Sequence, residues 1–122
     1  MYIVIVKTKF RATHGVKLSD GSREQPHEHI WKVRAAVESR DLDNRHMAMD
    51  FLELRPLLEK IISSFEGQHL NQHKVFETTN ATAEIVAKMI YDQLAPKLPA
   101  GRKLVWIEVT EAPDCRIRYT PD

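Results

Sequence analysis

Apolar and polar residues alternate over positions 2–10. Tyr2, Val4, Val6, Thr8 and Phe10 fall on one side, and Ile3, Ile5, Lys7 and Lys9 on the other. A period of two marks a strand, here with a mixed second face. A second strand is predicted over 29–39, with His29, Trp31, Val33, Ala35 and Val37 facing inward and Lys32, Arg34 and Glu38 outward. The stretch 15–26 contains Asp20-Gly21-Ser22 and little apolar material, so it reads as a loop. Positions 41–46 are polar and turn-like.

Beyond position 50 the period becomes helical. Leu54, Leu57, Leu58, Ile61, Ile62 and Phe65 recur at steps of three and four. Asp50 stands at an N-cap position, with Glu53 three residues later as in a capping box. Pro56 conflicts with an unbroken helix from Phe51, because its ring clashes with the carbonyl four residues back. The expectation is a distorted first turn, or a helix that begins near Pro56. Positions 66–79 read as irregular and polar. Asn80 or Thr82 would cap a second helix whose stripe is Ile85, Val86, Met89, Ile90 and Leu94, ended by Pro96 and Pro99-Ala100-Gly101. Two further strands are predicted over 103–109 and 115–119, joined through Glu111-Ala112-Pro113-Asp114.

The predicted order is β-β-α-α-β-β. Hairpins flanking a helix pair imply an α+β fold, with a four-stranded antiparallel sheet and both helices on one face. An open sheet leaves two exposed edges, and pairing them between subunits is one remedy, so a homo-oligomer is expected.

Composition narrows the function more than the fold. A chain of 122 residues fits one domain, 1–122, with a single core. A net charge of +1 gives no electrostatic case for nucleic acid or an anionic membrane. No apolar run approaches the length of a membrane span, and the start Met1-Tyr2-Ile3-Val4-Ile5-Val6-Lys7 reads as a strand rather than a signal peptide. The single cysteine, Cys115, cannot form an internal disulfide, which fits a cytoplasmic protein; it reads as a buried thiol.

The candidate chemistry begins at Pro26-His27-Glu28-His29. On a strand, residues two apart share a face, so His27 and His29 point the same way and Glu28 the other. His14 ends Phe10-Arg11-Ala12-Thr13-His14 after the first strand. If the two strands pair, three imidazoles converge. Three protein nitrogens and an open position are how a catalytic zinc ion is held.

These residues, with others in order along nearly the whole chain, resemble the 6-pyruvoyl-tetrahydropterin synthase and 6-carboxytetrahydropterin synthase family. Phe10 to His14 resembles the family's F-x-A-x-H, and His27-Glu28-His29 its H-G-H; the resemblance implies that His14, His27 and His29 bind Zn2+. Met47-Ala48-Met49-Asp50-Phe51 is similar to M-V-x-D-F. Leu70-Asn71, Phe76 and Asn80-Ala81-Thr82-Ala83-Glu84 resemble L-N…F…N-P-T-A-E. Val109-Thr110-Glu111 resembles V-x-E, whose glutamate grips the pterin ring, and Tyr119 falls at a late family tyrosine. The resemblance also implies the tunnelling fold, with sheets joined into a barrel and trimers stacked as a homohexamer.

Three departures bear on mechanism. Family synthases carry a cysteine shortly before H-G-H; here the stretch is Asp20-Gly21-Ser22-Arg23-Glu24-Gln25-Pro26. The family's L-D-H falls on Phe65-Glu66-Gly67, so the aspartate–histidine relay is incomplete, with His69 and His73 nearby. Glu28 replaces the glycine between the histidines. Glu24, Glu66 and His69 are therefore the candidate catalytic groups and Glu111 the candidate pterin anchor. Some relatives with glutamate in place of the cysteine cleave the pterin side chain. Two readings follow: a zinc-dependent lyase acting on 7,8-dihydroneopterin triphosphate or a related pterin, or an inactive or regulatory homologue that binds zinc and pterin.

Overall fold

A computed structural model describes residues 1–122. Five strands form one mixed sheet: β1 (Tyr2–His14), β2 (His27–Ser39), β3 (Gln68–His69), β4 (Lys103–Ala112) and β5 (Cys115–Tyr119). Their spatial order is β3-β1-β2-β4-β5. The β1–β2, β2–β4 and β4–β5 pairs are antiparallel, and β3 lies parallel to β1 through Ala12↔Gln68 and Thr13↔His69. The α+β class is as expected, but the sheet has five strands rather than four. A two-residue strand carries no period, so positions 68–69 gave no strand signal.

The strands are also longer than their apolar alternation. β1 continues through Arg11-Ala12-Thr13-His14, β2 starts at His27, and β4 extends past Glu111. The added residues are largely polar, and three of them, His14, His27 and Glu111, help to build the site.

Helix α1 (Phe51–Ile62) and helix α2 (Ala83–Leu94) pack on the same side of the sheet. The Asp50 carboxylate caps α1 by accepting the Leu52 N–H at 2.8 Å. The helix runs from Phe51 through Pro56, which corrects the expectation of a late start. Pro56 removes one bond, to the carbonyl of Leu52, and the first turn is largely exposed, so water can satisfy that group. Leu54, Leu58, Ile61 and Ile62 face inward. Thr82 caps α2 by accepting the Ile85 N–H at 3.2 Å; Asn80 is used elsewhere. Neither helix is long and apolar enough to cross a membrane.

One apolar core joins Val6, Phe10, Trp31, Val33 and Ile107 of the sheet to the buried faces of both helices. Phe10 stacks on Trp31 at 5.7 Å between centroids and meets Phe65 at 5.6 Å. Trp31 is fully buried, with its Nε1–H donating to the Ala12 carbonyl at 3.2 Å. Cys115 is exposed, not buried as expected, because it opens β5 directly after the turn and lies on the rim of the hairpin.

The opposite face of the sheet holds one buried charge. Glu108 is 2% exposed and receives Arg34 Nε at 2.7 Å and Arg118 Nε at 2.8 Å. The Arg118 guanidinium also lies 4.2 Å from the centroid of Trp106. Burial pushes the Glu108 carboxyl up, but the hydrogen bonds from Arg118 and Arg34 outweigh it and hold the group below the ordinary glutamate value.

Candidate metal centre

The register of β1 against β2 decides which histidines meet. His14 lies opposite His27, and Ala12 opposite His29. Phe10↔Trp31 continues the same inward face. The imidazoles therefore form the polar end of the face that carries the core.

His14 is fully buried, His27 is exposed, and His29 lies between. His14 Nε2 is 3.1 Å from His27 Nε2 and 3.3 Å from His29 Nε2. The Glu111 carboxylate joins them, with Oε1 at 3.0 Å from His14 Nε2. One ligand atom from each of the four lies within 4.8 Å of the others. The group has the composition and spacing to hold a metal ion.

The surroundings fix the rings. His14 Nδ1 lies 2.7 Å from the Ala81 carbonyl, which only accepts, so in the neutral ring Nδ1 carries the proton and Nε2 offers its lone pair. Trp31 packs edge-on to His14 at 4.6 Å and stacks on His29 at 4.3 Å. Burial pushes the His29 imidazole below its ordinary value. The bond to the Ile30 carbonyl and the Glu111 charge act in the opposite sense, while His14 and His27 add to the depression. A neutral imidazole is the form that binds a metal.

Glu24 lies just outside the four. Its Oε1 accepts the Val16 N–H at 3.1 Å and is 3.8 Å from His27 Nδ1. Glu28 turns away, as the strand alternation predicts, and its carboxylate is 3.8 Å from Arg11 Nε. Beside Glu111, a cleft of about 430 Å³ opens between the start of α2 and the β4–β5 hairpin, with Glu84, Asp114, Cys115 and Arg116 among its walls.

Glu66 and His69 are not brought into this group. Glu66 is exposed and accepts the backbone N–H of Arg11 at 2.6 Å. His69 sits on the two-residue strand β3 beside Thr13, partly buried, with Nδ1 unpartnered. The Ala81 carbonyl and the stacking of Trp31 on His29 escaped sequence reasoning. A carbonyl has no residue-type signature. Trp31 did show a signal, since it stands two residues after His29 on the same face.

The family model for 6-pyruvoyl tetrahydropterin synthase matches residues 3–122, and the chain belongs to that family. The dihydroneopterin monophosphate aldolase of Pyrococcus furiosus is 27% identical over 108 residues, which is 88% of each chain. The 6-pyruvoyl tetrahydropterin synthase of Caenorhabditis elegans superposes with a TM-score of 0.74 at 20% identity, covering 100% of this chain and 98% of that one. A Plasmodium vivax 6-pyruvoyltetrahydropterin synthase, solved with a catalytic glutamate replaced by alanine, gives 0.76 at 15% identity, covering 97% of this chain and 96% of that one. These superpositions establish the shared fold.

Proposed function

We propose that this chain is a zinc-dependent pterin lyase that cleaves the side chain of a phosphorylated 7,8-dihydroneopterin by retro-aldol chemistry. The observation that carries this reading is Glu24: its carboxylate stands 3.8 Å from a ring nitrogen of His27, in the loop where family synthases place a cysteine. The aldolase from Pyrococcus furiosus and the catalytic glutamate of the Plasmodium vivax synthase support it by kind.

The donor set favours zinc. Zinc–imidazole bonds of about 2.0–2.1 Å put tetrahedral nitrogens about 3.3 Å apart, and the His14–His27 and His14–His29 separations are 3.1 and 3.3 Å. When bound, zinc would polarise and acidify a side-chain hydroxyl. His14, His27 and His29 would hold it. The Glu111 carboxylate, turned out of the group into the cleft that it also lines, would accept both the 2-amino group and the adjacent ring N–H of the pterin. Glu24 would take the proton of the 2′-hydroxyl as the C1′–C2′ bond breaks, and a proton would return to C1′. The products are 6-hydroxymethyl-7,8-dihydropterin and a phosphorylated two-carbon aldehyde.

Product analysis after incubating the zinc-loaded protein with 7,8-dihydroneopterin mono- and triphosphate tests this. The two-carbon aldehyde is expected; release of inorganic triphosphate with the pterin side chain intact would point to elimination instead. The regulatory reading draws support from Glu66 and His69 lying outside the group. Measurable pterin affinity without turnover of either substrate would favour it.

We also place the protein in the cytoplasm and propose a homohexamer. β1 pairs with β3 only at Ala12 and Thr13, and β5 is the other edge. Edge pairing between subunits would cover both. A mass of six chains by light scattering is the expected result.

A further inference from the structure

The loop between β1 and β2 carries Glu24, and two asparagines grip it from outside. Asn71 Oδ1 accepts the Gly15 N–H at 2.8 Å, and its Nδ2 donates to the Gly15 carbonyl at 2.8 Å. Asn80 repeats the arrangement on Lys17, with Oδ1 accepting the N–H at 2.9 Å and Nδ2 donating to the carbonyl at 3.1 Å. A primary amide presents a donor and an acceptor side by side, so one side chain can satisfy both backbone groups of one residue. Arg23 Nη1 adds a bond to the Gly15 carbonyl at 2.9 Å.

Between the two gripped residues lies Val16. Its N–H donates to Glu24 Oε1 at 3.1 Å, and its carbonyl accepts the Glu24 N–H at 2.9 Å. The chain passes itself closely here: a Cβ on Gly15 would stand 2.6 Å from the Glu24 carbonyl oxygen. Ala81, next to Asn80, holds His14. His14, Gly15 and Lys17 are thus fixed by three points on the 71–81 stretch.

We infer that Asn71 and Asn80 are positioning residues. They hold the backbone of Gly15 to Lys17 as a rail that sets the Glu24 carboxylate against His27, and Asn80 also steadies the Ala81 carbonyl that orients His14. The inference rests on the role proposed above for Glu24. The two amides divide the work. Asn71 acts on Glu24 alone, and Asn80 acts on both Glu24 and the metal ligand.

The test compares Asn71→Ala, Asn71→Asp and Asn80→Ala with the parent in three measurements: zinc affinity by chelator competition, kcat and KM for the phosphorylated dihydroneopterin, and hydrogen exchange of the Val16, Lys17 and Glu24 amides. Asn71→Ala should lower kcat about 10–100-fold with KM within about twofold, since a misplaced catalytic group costs that much, and should leave zinc affinity unchanged. Asn80→Ala should do the same to kcat and also weaken zinc about tenfold, as loss of an outer-shell support does. Asn71→Asp keeps the bond from the Gly15 N–H and should fall between parent and alanine. Faster exchange at Val16, Lys17 and Glu24, with strand amides unchanged, is expected in both alanine variants. If the parent binds zinc but turns over neither substrate, the proposed lyase function fails, and the rail is judged by exchange and zinc affinity alone. Variants with a lowered Tm but parental exchange, zinc affinity and kcat would make the asparagines ordinary loop ties and overturn the inference.

Discussion

His14 and Ala81 are joined by a 2.7 Å hydrogen bond from the imidazole Nδ1 to the carbonyl, across 67 positions of sequence. That contact selects the tautomer of the most buried member of the metal group and turns its free nitrogen toward His27, His29 and Glu111. It also ties the end of β1 to the entry of α2, so a metal held by this group would couple its binding to folding there.

A ligand that binds only the folded chain stabilises it by about 2.7 kcal/mol at a hundredfold excess over Kd. Thermal unfolding should therefore move up when zinc replaces a chelator in the buffer. His14→Ala should erase that zinc-dependent gain, because the remaining imidazoles lose their common neighbour. A zinc-dependent shift that survives in His14→Ala would place the metal elsewhere.

Glu111 tests the split between metal and substrate. Its Oε1 is 3.0 Å from His14 Nε2, and it also lines the open cleft. Three histidines suffice for a catalytic-type zinc site, so Glu111→Ala should keep zinc within about tenfold of the parent affinity. Pterin affinity should fall by about 2 kcal/mol or more, the range for hydrogen bonds to a charged group. Calorimetry with zinc and then with a pterin measures both.

Trp31 links core to site. Replacing it with phenylalanine keeps most of the core packing but removes the Nε1–H bond to Ala12 and part of the stack on His29. The variant should fold and bind zinc about tenfold more weakly, as loss of a support behind a ligand does. Parental zinc affinity in Trp31→Phe would make the stack incidental.

The pH dependence of stability should carry the mark of Glu108. Its folded pKa lies below the unfolded value, so its ion pairs stabilise the fold fully above the unfolded glutamate pKa of about 4.3 and lose that effect as pH falls through the folded value. Glu108→Gln should cost about 2 kcal/mol at neutral pH, less than a fully buried pair because Arg34 and Arg118 are partly exposed. The gap between parent and variant should narrow below about pH 4. Denaturant melts across pH 3–8 check this, and a gap constant over that range would contradict it.

The alternation of Val6, Phe10, Trp31, Val33 and Val37 made the sheet legible, and the stripe from Leu54 to Ile62 made α1 legible, because burial imposes a period on sequence. The ends were less readable. His14, His27 and Glu111 extend their strands with polar residues, which read as loop until their partners across the sheet are known. The three histidines stood out by ligand type and spacing. Glu111 stood out through the family resemblance, which implied a ring anchor; its approach to His14 did not. Nothing in residue type points to the Ala81 carbonyl, and Asn71 and Asn80 grip backbone groups that sequence leaves unspecified. Contacts between a side chain and a distant main chain form only in three dimensions.

We propose that Glu24 acts on a substrate held at the His14, His27 and His29 centre. The most direct measurement is the rate of side-chain cleavage of 7,8-dihydroneopterin monophosphate by the parent and by Glu24→Gln, both at one zinc per chain. The parent should release the phosphorylated two-carbon aldehyde, and the variant should be slower by about 10²–10⁴-fold, the range for losing a positioned general base. Equal rates at equal zinc occupancy would remove Glu24 from the reaction.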